Sequence, residues 1–117
     1  MSSWTFLFDV KQIEEIDTFS KQDPCLILKH SFTCSISSIA KMRIEDKIEA
    51  LCGQFKLYFV DVRQDRRVSQ YIAEHYDVHH ESPQVLLIKD GECYFDTSHL
   101  DIYFDELIEV TEKHLEV

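Results

Sequence analysis

Apolar positions along this chain follow two periodicities that take turns. Over residues 10–21, Val10, Ile13, Ile16 and Phe19 recur every three residues, which predicts an amphipathic helix broken at Asp23-Pro24. The run CLILKH (25–30) is too short and too apolar for a surface helix and predicts a buried strand. From Ser35 onward, Ile36, Ile39, Ala40, Ile44, Ile48 and Leu51 predict one helix running to Cys52, with Gly53 suited to a left-handed cap. KLYFVDV (56–62) predicts a second buried strand, and Val68, Tyr71, Ile72, His75 and Tyr76 a third helix. QVLLIKDGECYFD (84–96) predicts two strands about an Asp90-Gly91 turn. Phe104, Leu107, Ile108, Thr111 and Leu115 line a C-terminal helix, and WTFLF leaves room for a short first strand.

The order is helix, strand, helix, strand, helix, hairpin, helix. Strands separated by helices imply right-handed parallel crossovers, and the hairpin adds antiparallel neighbours. The expected fold class is therefore α/β, with a mixed central sheet flanked by helices. This is also the element order of the thioredoxin-like fold. At 117 residues the chain is expected to form one domain, 1–117, with a core that needs no staple.

Charge narrows the partners. Twenty-two acidic against twelve basic residues give −10, the wrong balance for neutralising phosphates, so no nucleic acid is expected. No apolar run is long enough for a membrane, and the start lacks a basic flank and cleavage site, so a cytoplasmic location is expected. Cys25, Cys34, Cys52 and Cys93 are far apart, with no C-x-x-C, and each reads as a small buried hydrophobe or a reactive thiol.

Cys34 stands out by position. Chemistry in α/β sheets gathers beyond the carboxyl ends of strands, where loops enter helices. Cys34 follows the first buried strand and precedes a helix, where unpaired N–H groups and the helix dipole favour a thiolate. The alternative is an inert cysteine at a helix cap. Thr33, Ser35 and Ser37 can add hydroxyl donors. Ser37 stands where a C-x-x-C pair has its second thiol, so the site suits one-thiol exchange that awaits an outside thiol. His30 is either a core-edge histidine or a modulator of the thiolate.

Pro83 precedes a strand and follows Ser82, and a generic X-Pro bond would be trans. His79, His80 and Glu81 are neighbours on an extended stretch and point opposite ways, so no metal site is expected there. A solvated loop, or one histidine close to Cys34, is the reading for these residues.

The blocks LKHSFTCSISS and HHESPQVLLIKDGE, with DVRQDRRVSQYIAEHYDVHHESP overlapping the second, resemble the monothiol bacilliredoxins of the BrxC type. The resemblance implies a thioredoxin-like thiol–disulfide oxidoreductase of the bacillithiol redox system, linked to redox homeostasis and stress response. It implies Cys34 as catalytic nucleophile, and Thr33, Ser35, Ile36, Ser37, Ser82 and Pro83 as active-site and thiol-binding motif, with Pro83 cis. Bacillithiol or another low-molecular-weight thiol would be co-substrate, with no tightly bound cofactor. S-thiolated cytosolic proteins would be the clients of a monomer or weak dimer. One departure is plain: Ser35 stands where the family motif has proline, and it keeps an N–H donor near the sulfur.

Two other readings stay open. Monothiol thioredoxin-like proteins can hold an iron–sulfur cluster, which would colour the purified protein brown. A non-catalytic stress-related adaptor would keep the fold without turnover.

Overall fold

A computed structural model describes residues 4–115. Met1–Ser3 and Glu116–Val117, which the expected 1–117 domain includes, lie outside the described residues. The chain runs β1 (Thr5–Phe6), α1 (Lys11–Phe19), β2 (Cys25–His30), α2 (Ser35–Glu45), α3 (Ile48–Cys52), β3 (Lys56–Asp61) and α4 (Arg66–His75). It continues through β4 (Gln84–Lys89), β5 (Glu92–Ser98), a 3-10 turn (His99–Asp101) and α5 (Phe104–Leu115).

The strands form one sheet in the order β1-β3-β2-β4-β5. β3 lies parallel to β1 and β2, whereas β4 is antiparallel to both β2 and β5. β2 is central and buried along its whole length, which is why it reads as a nearly continuous apolar run. Its side chains alternate between two cores. Cys25 and Ile27 face the layer of α1 and α4, with Ile13, Ile16, Val68 and Ile72. Leu26 and Leu28 face the layer of α2, α3 and α5, with Ala40, Ile44, Leu51 and Leu107.

The hairpin turn forms as expected, with Asp90 at φ 55° and Gly91 at φ 74°. Both central residues are left-handed, the geometry that matches the twist of paired strands.

Two local expectations are corrected. The single helix expected over residues 35–52 is two, because the chain tightens at Lys47, whose N–H donates to the Ile44 carbonyl at 3.1 Å. That turn re-aims the following residues so that Leu51 and Phe55 both enter the core below the sheet. Gly53 is right-handed (φ −73°), not a left-handed cap. Its N–H donates to Glu49, and the Phe55 N–H returns to the Leu51 carbonyl at 2.7 Å, so the buried Phe55 turns the chain instead.

The face that α2 buries also differs from the apolar spacing. Ile36 and Ile39 are 37% and 38% exposed, while Ser37 is fully buried with Ala40 and Ile44. The tertiary environment, not the hydrophobicity of the side chains, sets this orientation: Ser37 has polar partners inside.

Candidate active site

β2 ends at His30, and the loop from Ser31 to Thr33 carries the chain to Cys34 at the N-cap of α2. Cys34 is extended (φ −110°, ψ 122°) and half-buried. Its N–H donates to the Ser31 carbonyl at 3.2 Å, and its carbonyl accepts the Ser38 N–H at 3.1 Å and the Ser38 hydroxyl at 3.3 Å. Ser35 is the first helical residue, the position where proline fits a helix start without losing a needed hydrogen bond.

Two of the hydroxyls expected around the sulfur, those of Ser37 and Thr33, are engaged with other groups. Ser37 Oγ lies 2.7 Å from His30 Nδ1 and accepts the Ser31 N–H at 2.9 Å. Both contacts are satisfied at once when the hydroxyl hydrogen goes to a neutral imidazole. Burial disfavours the imidazolium and, with the Lys41 charge, holds the His30 pKa below its ordinary value. Phe32 and Phe59 pack on the ring, with centroids 4.4 and 5.5 Å away. His30 is therefore a core histidine that reaches the Cys34 turn through Ser37. Thr33 Oγ1 sits 3.2 Å from Ser31 Oγ and accepts from Arg63 Nη1 at 2.9 Å.

The Ser82–Pro83 peptide is cis. In the β2–β4 pairing Lys29 stands opposite Gln84, and one further step of that register sets His30 opposite Pro83. The proline loop and the Cys34 loop thus leave the same end of the sheet. Ser82 Oγ and Gln84 Oε1 are buried without a hydrogen-bond partner, and Gln84 Nε2 donates to the His79 carbonyl at 2.9 Å.

Lys29 was hidden in the apolar run. It is fully buried on the α4 side of the sheet, one residue before His30 turns to the α2 side. Its Nζ donates to the Ser69 carbonyl at 3.1 Å and lies 3.0 Å from His80 Nδ1. Burial lowers the lysine from 10.5 to about 8. Burial, then the Lys29 charge, also lowers His80. His80 is thus tethered to the β2 strand rather than simply solvated. His79 and His99 each approach Glu81 at 3.3 Å. The signal for Lys29 was present: a cation inside a central strand must be buried on one face or the other. Arg63 lies in the β3–α4 connection, and only the folded chain sets it against Thr33.

The other thiols occupy the far end of the sheet. Cys25 begins β2, opposite Lys56 and Ile88, and Ile88 in turn faces Cys93. Cys52 ends α3 just before β3. Burial, with Asp23 adding, pushes the Cys25 thiol up to about 12, and burial pushes Cys93 up to about 11. Cys52 is exposed.

This sheet order, with helices on both faces and a cysteine capping the helix after β2, defines a protein of the thioredoxin fold. The chain belongs to the monothiol bacilliredoxin BrxC family, whose model matches residues 6–107. A solved structure described as a candidate oxidoreductase with a thioredoxin fold is 29% identical, at TM-score 0.81, covering 93% of this chain and 94% of that one. Thioredoxin from Fasciola hepatica superposes at TM-score 0.72 with 19% identity, covering 93% of this chain and 97% of that one. Thioredoxin from Malassezia sympodialis does so at 0.73 with 14% identity, covering 97% and 90%. The expected α/β thioredoxin-like class, with its mixed sheet between helices, is the observed one.

Proposed function

We propose that Cys34 is the nucleophile of a monothiol thiol–disulfide oxidoreductase that removes a low-molecular-weight thiol, bacillithiol by family resemblance, from mixed disulfides on cytoplasmic proteins. The Cys34 thiolate attacks the small-thiol sulfur of the mixed disulfide. A Cys34–small-thiol disulfide forms, the old S–S bond breaks, and the client leaves as a reduced thiolate. A second small thiolate then attacks the adduct, releasing the symmetrical small disulfide and regenerating Cys34. Cys34, Thr33, Ser35, Ile36, Ser37, Ser82 and Pro83 form the site in this reading, with His30 supporting Ser37.

The carrying observation is the isolation of Cys34 from every other thiol. β2 alone separates the two ends of the sheet by roughly 17 Å at about 3.3 Å per residue, far beyond the Cα separation of about 7 Å that a disulfide tolerates. Ser37, the position of a resolving thiol, is an oxygen held by His30 and Ser31. In this reading exchange at Cys34 finishes with an outside thiol.

The test is a single-cysteine peptide carrying a small thiol, followed by non-reducing mass spectrometry. The expected result is free peptide and an adduct mapped to Cys34, with neither product from Cys34→Ser. Transfer that survives Cys34→Ser, or an adduct on Cys52 instead, would overturn the proposal.

A further inference from the structure

We infer that Arg63 is the specificity residue of this site and receives a carboxylate of the small thiol; the inference rests on the exchange reaction proposed above. Arg63 lies in the β3–α4 connection, where the Asp61 carboxylate accepts the N–H groups of Arg63 and Gln64 at 3.0 and 3.1 Å and so pins the turn. From there its Nη1 donates to Thr33 Oγ1, the residue before Cys34. Among the described residues Arg63 has no carboxylate ion-pair partner, and its side chain is exposed. A guanidinium carries five donors in a planar fork, so one bond to Thr33 leaves a bidentate edge for a carboxylate.

The setting makes this cation matter. The chain as a whole carries −10, which repels an anionic thiol at long range. A guanidinium hydrogen-bonded to Thr33, the residue before the nucleophile, supplies the opposite sign beside the Cys34 loop. It also bears on which sulfur is attacked. A carboxylate held at Arg63 places the small-thiol sulfur, not the client sulfur, against Cys34, so that the client is the group released. The recognised chemistry is a carboxylate-bearing low-molecular-weight thiol.

A single-cysteine peptide is loaded in turn with cysteamine, 2-mercaptoethanol, 3-mercaptopropionate or mercaptosuccinate. Each transfer rate to Cys34 is divided by the rate with a free reference thiol, which removes intrinsic disulfide reactivity. The wild-type protein is expected to prefer mercaptosuccinate over 2-mercaptoethanol by about tenfold or more, as a charge-assisted contact allows. Arg63→Gln should collapse that ratio towards one, and Arg63→Lys should restore part of it. Arg67→Gln changes net charge equally without touching the Cys34 loop, and should keep the preference. Equal normalised rates in the wild type, a preference that survives Arg63→Gln, or equal loss in Arg67→Gln would each overturn the assignment while leaving the exchange reaction standing. A wild-type protein that accepts none of the four thiols would instead remove the exchange reading, and this inference with it.

Discussion

Ser37 Oγ and His30 Nδ1 lie 2.7 Å apart inside the protein, and the same hydroxyl accepts the Ser31 N–H. Three points of the chain meet there: the end of β2, the start of the active loop and the first turn of α2. Serine at this position therefore does more than omit a second sulfur.

Ser37→Ala would leave a buried N–H and a buried imidazole nitrogen unpaired. The expected cost is about 1–3 kcal/mol of stability, with Cys34 still able to take a small thiol. Urea denaturation read beside the transfer assay separates the two effects. A variant as stable as the wild type would show that this bond contributes nothing net. Ser37→Cys is expected to form an internal disulfide with Cys34, seen as the loss of two hydrogens in the non-reduced mass.

His30 makes the fold sensitive to acid. Its folded-state pKa is below the ordinary 6.5, because burial and then Lys41 disfavour the imidazolium. The unfolded chain therefore binds more protons, so this contribution to stability is present above pH 6.5 and is lost as pH falls through 6.5 towards the lowered folded value. His80 is shifted the same way and adds to the trend. Urea midpoints between pH 7.5 and 5.5 should fall less steeply for His30→Gln than for the wild type. Parallel curves would remove His30 from the account.

Lys29 should act at the alkaline side. Bringing a lysine from 10.5 to about 8 costs the fold on the order of 3 kcal/mol at neutral pH. The unfolded state holds the extra proton between those values, so stability should rise as pH passes about 8. Above about pH 9 the opposite trend sets in, because the Cys25 and Cys93 thiols are raised in the fold and ionise more readily when unfolded. Lys29→Met should be more stable than the wild type at pH 7 by about 1–3 kcal/mol, as replacing a buried charge with an apolar side chain often is. It should also lose the rise between pH 8 and 9. A destabilised variant would mean that the bonds to Ser69 and His80 outweigh the burial cost.

The four thiols should divide into two pairs under alkylation. Cys25 and Cys93, raised to about 12 and about 11, are expected to stay unmodified at pH 8 until the protein is unfolded. Half-buried Cys34 and exposed Cys52 should label in the native protein. Site-resolved iodoacetamide labelling checks this, and native labelling of Cys25 would contradict its burial.

The elements were legible because their signals are local. CLILKH is apolar throughout because both sheet faces are covered, and Asp90-Gly91 marks a turn because both residues tolerate positive φ. The break at Lys47 was not legible, since no proline or glycine marks it and the apolar spacing runs straight through. The burial of Ser37 in place of Ile36 and Ile39 was hidden for a related reason. Periodicity ranks side chains by hydrophobicity, whereas this face of α2 is chosen by polar partners across the loop.

By itself, the sequence determined the alternation of strands and helices, the placement of Cys34 at a helix mouth after a buried strand, and the serine three residues on. These depend on neighbours along the chain, which is what spacing and composition report. Only the tertiary structure decided that Lys29 and His30 turn to opposite faces to meet Ser69 and His80 on one side and Ser37 on the other. It also decided that Arg63 reaches Thr33, and that Cys25, Cys52 and Cys93 gather at the end of the sheet away from Cys34. Strand parity and register set these meetings. A side chain's face follows from its place in the strand, but its partner follows from which strand lies alongside and in what alignment.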